Sequence, residues 1–138
     1  MYIYKPMKKV GTKFEYTEQR NANLIAVYRK KLGECKVIKL GDVLKETVNE
    51  PSERFWVSEE RAAAVMMKMM RGDELNDMSP MKREMFREIY RRVREIKEKH
   101  PQKPIIEIVA VVVESPAPHF YLTPGSAKVI IHNATKKR

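Results

Sequence analysis

From Ala22 onward, apolar positions along the chain recur at helical spacing. Leu24, Ile25, Tyr28 and Leu32 fall on one side of a predicted first helix that stops at Gly33, a residue suited to a C-terminal cap. Val43, Leu44, Thr47 and Val48 predict a short second helix, closed by Pro51, because a proline disfavours helix at the residue before it. Pro51 to Val57 reads as an extended connector carrying Phe55 and Trp56. Ser58 followed by Glu59 and Glu60 then has the hydroxyl cap and early acidic charge of a helix start. Ala62, Val65, Met66, Met69 and Met70 supply its apolar face up to a stop at Arg71-Gly72. Ser79-Pro80 opens a longer fourth helix with Phe86, Ile89, Val93 and Ile96 inward, and His100-Pro101 ends it. Thr123-Pro124 opens the last, with Ala127, Ile130 and Ile131 inward. Ile105 to Val113 is ambiguous, since its β-branched composition favours a strand.

An internal repeat resolves that ambiguity. At an offset of 65 residues, Val48, Pro51, Phe55 and Ala62 face the identical Val113, Pro116, Phe120 and Ala127. Trp56 faces Tyr121, Ser58 faces Thr123, and Val65 faces Ile130. Upstream, Tyr28-Arg29-Lys30 parallels Tyr90-Arg91-Arg92 at an offset of 62. Ile105–Val113 is thus the counterpart of a helical segment and is expected to be helical. The expected fold is all-α, with two tandem three-helix units packed together. Residues 1–19 form an irregular basic N-terminal arm, 20–72 the first unit and 79–138 the second, with a basic tail and a linker at Gly72–Met78. Each unit would be small enough to be marginal alone.

The order long helix, short helix, turn, helix is the layout of a tri-helical helix-turn-helix, whose last helix enters the DNA major groove. The connector here runs to about eight residues, where such turns commonly take three or four. A formal charge of +10 points to an anionic partner, nucleic acid first. Lone Cys35 excludes an internal disulfide. The amino terminus lacks the apolar core of a signal peptide, and the longest apolar run, Ile108–Val113, is too short to span a bilayer. A cytoplasmic protein without membrane association is expected.

Within the second unit the last helix presents Ser126, Lys128, His132 and Asn133 on its outer side, with no carboxylate to the end of the chain. These residues are the candidate base contacts, and Gly125 would let backbone approach a phosphate closely. Lys136 and Lys137 in the tail are candidate phosphate contacts. Arg83, Arg87, Arg91 and Arg94 form a basic stripe along the fourth helix, a candidate phosphate-binding surface together with Arg92 and with Tyr90 nearby. Interleaved Glu84, Glu88, Glu95 and Glu98 can instead pair with it at helical spacing. The helix from Ser58 begins with two carboxylates that phosphates would repel, which suits it better to packing or to a protein partner. Phe55/Trp56 and Phe120/Tyr121 are expected to plug cores.

No glycine-rich phosphate loop occurs, and His100, His119 and His132 lack metal-ligand spacing. The carboxylates lie among basic residues on amphipathic helices, the pattern of surface pairing. The expectation is a protein without enzymatic activity, cofactor or metal.

The segments Arg54-Phe55-Trp56-Val57-Ser58-Glu59-Glu60-Arg61-Ala62 and Pro116 to Ala127 resemble those of small bacterial proteins without assigned activity, associated with phages and other mobile elements. The resemblance covers residues 20–133 and implies a mobile-element origin. Together these readings give a DNA-binding regulatory or accessory factor. The alternatives are RNA binding, or a protein-interaction adaptor or homodimer using the methionine-rich helix 58–71.

Overall fold

A computed structural model describes residues 5–34 and 39–136, with side chains from residue 16 onward. Regular structure among the described residues consists of six helices: α1 Lys5–Glu34, α2 Leu40–Asn49, α3 Glu59–Met70, α4 Pro80–Lys99, α5 Ile105–Val113 and α6 Pro124–Lys136. The all-α class holds. α5 is helical despite its β-branched composition, because Ile108, Val109, Val112 and Val113 are buried together on one helical face. Packing on that face outweighs the strand preference of the residue types.

The irregular arm expected over residues 1–19 is helical from Lys5, while residues 1–4 lie outside the described residues. Pro6 falls in the first turn, where the amide it lacks would have had no intrahelical partner. Gly11 costs the helix interior about 1 kcal/mol without ending it. Gly33 is not the expected cap either, since α1 continues through it to Glu34. Gly72, by contrast, adopts φ +96° after α3. Its N–H donates to the Met69 carbonyl and that of Asp73 to the Lys68 carbonyl, the paired bonds of a Schellman end. Ser58, Ser79 and Thr123 cap α3, α4 and α6 as expected, each hydroxyl accepting the backbone N–H three residues on.

The helices do not group in chain order. One unit comprises Met1–Ser52 and Pro118–Arg138, and therefore α1, α2 and α6. The other comprises Glu53–Ala117, and therefore α3, α4 and α5. In the first unit α1 packs on α2 and α6, and α2 on α6. In the second α5 packs on α3 and α4, and α3 on α4. Each repeat keeps its first two helices and contributes its third to the other unit. The expected grouping into 20–72 and 79–138 is corrected accordingly. The long connectors are the physical reason: eight extended residues reach roughly 26 Å, far more than a tight turn back onto the preceding helix requires. The segment 72–78 is no linker between units, because Leu75 is buried within the second unit at φ +59°, its N–H held by the Asp73 carboxylate at 2.7 Å.

The repeat is visible in how each incoming connector is fixed. In the first unit the Phe120 N–H donates to the Val48 carbonyl at 3.0 Å. In the second the Phe55 N–H donates to the Val113 carbonyl at 2.9 Å. The two donors are repeat counterparts, as are the two acceptors, and each bond joins a phenylalanine of one repeat to a valine of the other. Phe55 and Phe120 are both buried, as are Val48 and Val113, Val43 and Ile108, and Ala62 and Ala127.

Candidate nucleic-acid interface

α6 is built to present one polar face. Pro124 occupies its first position, Thr123 caps it, and Ala127 and Ile131 are buried against the rest of the first unit. Lys128, Val129, His132, Asn133 and Lys136 are exposed, as is Gly125 at the start of the helix. Val129 and Asn133 lie one turn apart, as do Gly125 and Val129, so these side chains share a stripe. No Asp or Glu occurs in α6. A β-carbon added at Gly125 would meet nothing nearer than the Thr123 hydroxyl at 4.0 Å, so packing does not require glycine there.

The residues expected to contact bases fare unequally. Lys128, His132 and Asn133 are all exposed. Ser126 is exposed but tied into its own cap: its N–H donates to Thr123 Oγ1 at 3.1 Å and the two hydroxyls lie 3.0 Å apart. Lys136 is exposed, and Lys137, like Cys35, lies outside the described residues. The helices supporting α6 are α1 and α2, not the α4 and α5 of its own repeat. Asn133 and Ile130 therefore share an open groove of about 550 Å³ with Asn21, Ile25 and Arg29 of α1.

The α4 stripe belongs to the second unit, so the two basic surfaces expected to cooperate are on different units. Arg91 is engaged on both sides, with Glu88 at 2.7 Å and Glu95 at 2.8 Å. Those hydrogen bonds, Arg91 first and then Arg92, hold the Glu88 carboxyl below the usual carboxylate range, and Glu88 in turn raises the Arg91 guanidinium. Arg92 faces inward: Nε donates to Glu88, Nη1 to Ser115 Oγ at 3.1 Å and to the Pro116 carbonyl at 2.9 Å, and the guanidinium lies 4.9 Å from the centre of the Phe55 ring. The Arg83 Nε is buried with no hydrogen-bond partner among the described residues. Arg94 lies over the Tyr90 ring, and Arg87 is exposed.

Charge follows the same division. The first unit carries fifteen Lys and Arg against six Asp and Glu in sequence, a net +9, and the second thirteen against twelve, a net +1. Almost the whole excess positive charge thus belongs to the unit that holds α6. Sequence reasoning missed Val129 and the α1 residues Asn21 and Arg29. Val129 was legible as an apolar residue on the outer side of the α6 wheel, but no local signal joins α1 to a helix a hundred residues away.

Among the described residues no group of three His, Cys, Asp or Glu could hold a metal ion, and no helix is long and apolar enough to cross a membrane. Comparisons with protein-family models, curated proteins and solved structures find no match.

Proposed function

We propose that this chain is a non-enzymatic DNA-binding protein, a cytoplasmic regulatory or accessory factor of a bacterial mobile element, and that it binds through the unit made of α1, α2 and α6. The observation that carries this reading is the partition of charge, +9 against +1, with the carboxylate-free α6 in the basic unit. A field of that sign concentrates phosphate polymers, and an α-helix fits the major groove. Base contacts come from Lys128, His132 and Asn133. Phosphate contacts come from Lys136, the basic tail and Arg29. The α4 stripe lies in the nearly neutral unit, where Arg91 and Arg92 are already held by Glu88, so that stripe contributes little.

Fluorescence anisotropy of labelled duplex DNA, single-stranded DNA and RNA, titrated across a salt series, tests the proposal. The expected result is duplex binding that weakens steeply with salt, as counterion release requires. Preference for RNA, or no binding at low salt, contradicts it. A second reading, a protein-interaction adaptor, is favoured by Met67 and Met70 on α3, which are 46% and 42% exposed in the nearly neutral unit. It is the reading to pursue if no nucleic acid binds.

A further inference from the structure

The outer face of α6 contains one residue that neither solubility nor packing explains. Val129 is 58% exposed. It sits one turn after Gly125 and one turn before Asn133, amid Lys128 and His132. A single exposed apolar residue on a protein surface is ordinary; its setting is what distinguishes this one. It stands mid-helix on the only helix of the basic unit that lacks carboxylates, where a duplex drawn by +9 of charge would meet it. On the major-groove floor the apolar group available is the thymine C5-methyl, and the side chain that pairs bidentately with an adenine edge is an amide such as Asn. Arginine, the commonest reader of guanine, does not occur in α6.

We infer that Val129 and Asn133 form a paired reader of A·T steps in duplex DNA, Val129 packing on a thymine methyl and Asn133 hydrogen-bonding an adenine N6/N7 edge. This inference rests on the DNA-binding reading and adds to it a chemical class of target. Lys136 lies beside the pair and holds the helix to the phosphates without selecting sequence. Because Val129 is exposed, its truncation leaves the fold intact and isolates the contact.

The test begins with selection of 20-base-pair duplexes from a randomised pool by the full chain. The selected duplex is then resynthesised with deoxyuridine in place of each thymine in turn, which removes only the methyl group. At one or two positions affinity is expected to fall about fourfold, the value of one buried methyl-sized group. With Val129→Ala the thymine and deoxyuridine duplexes bind alike, and with Val129→Ile the difference persists. Asn133→Ala relaxes the preference for adenine at a neighbouring position. Circular dichroism of each variant, unchanged from the parent, confirms that the fold is kept. Equal binding of thymine and deoxyuridine duplexes by the parent, or a difference that survives Val129→Ala, overturns the inference while leaving DNA binding standing. Failure to bind any duplex at low salt overturns both.

Discussion

Lys31 in α1 illustrates how single residues tie the first unit together. Its amine lies 2.9 Å from the Glu50 carboxylate, 3.6 Å from Glu34 and 3.9 Å from Glu46. The hydrogen bond with Glu50 outweighs desolvation, raising the Lys31 pKa above its ordinary value and lowering that of Glu50. A lowered carboxyl contributes stability above its unfolded pKa and loses it as pH falls through the folded value. A raised amine contributes below its unfolded pKa and loses it as pH rises through the folded value. The pair therefore stabilises across the neutral range and fails at both extremes. Lys31→Met is expected to be less stable than the parent in urea at pH 7, with the difference closing as pH drops below the carboxylate range. A difference independent of pH would show that Lys31 acts through its aliphatic stem alone. Lys31 was visible in sequence only as part of a basic run, because its partners Glu46 and Glu50 become neighbours only once α1 packs on α2.

Most of what the sequence made legible was at the scale of elements. Caps at Ser58, Ser79 and Thr123, proline stops and 3.6-residue spacing act within a few residues, so α2 to α6 could be placed from them. The repeat settled α5 where composition pointed to a strand. What local patterns could not carry was the meaning of Pro6, Gly11 and Gly33, each compatible with a helix in the position it occupies. Nor could they give the destination of α3 and α6, which depends on connectors that no periodicity governs. Arg92 shows the same limit: within an arginine-rich helix it read as a phosphate contact, yet its Nη1 holds the end of α5 through Ser115 and Pro116 while its plane covers Phe55. Arg92→Ala should destabilise the chain by about 1.5–3 kcal/mol, the range for hydrogen bonds to charged groups. Arg91→Ala, which breaks exposed and solvent-screened ion pairs, should cost much less. Urea unfolding of the two variants distinguishes them, and equal losses would contradict the inward role assigned to Arg92.

For the whole molecule, the exchange of third helices makes folding a joint property of both repeats. Residues 1–76 contain α1, α2 and α3, and residues 77–138 contain α4, α5 and α6, so neither fragment holds a complete unit. Each fragment alone is expected to show little helical signal, and an equimolar mixture to regain it with a sharp thermal transition. Independent cooperative folding of either fragment as a monomer would contradict the exchange. The same exchange separates the charge, leaving α6 in a strongly basic unit and α4 in a neutral one. The central claim is that DNA is bound by the first and not by the second. Charge reversal at matched exposed positions tests it most directly: Lys128→Glu in α6 and Arg87→Glu in α4, each titrated with duplex DNA across a salt series. The account predicts that Lys128→Glu weakens binding and lowers the salt slope by about 1 or more, while Arg87→Glu leaves both nearly unchanged. Equal losses from both, or loss from Arg87→Glu alone, would contradict it.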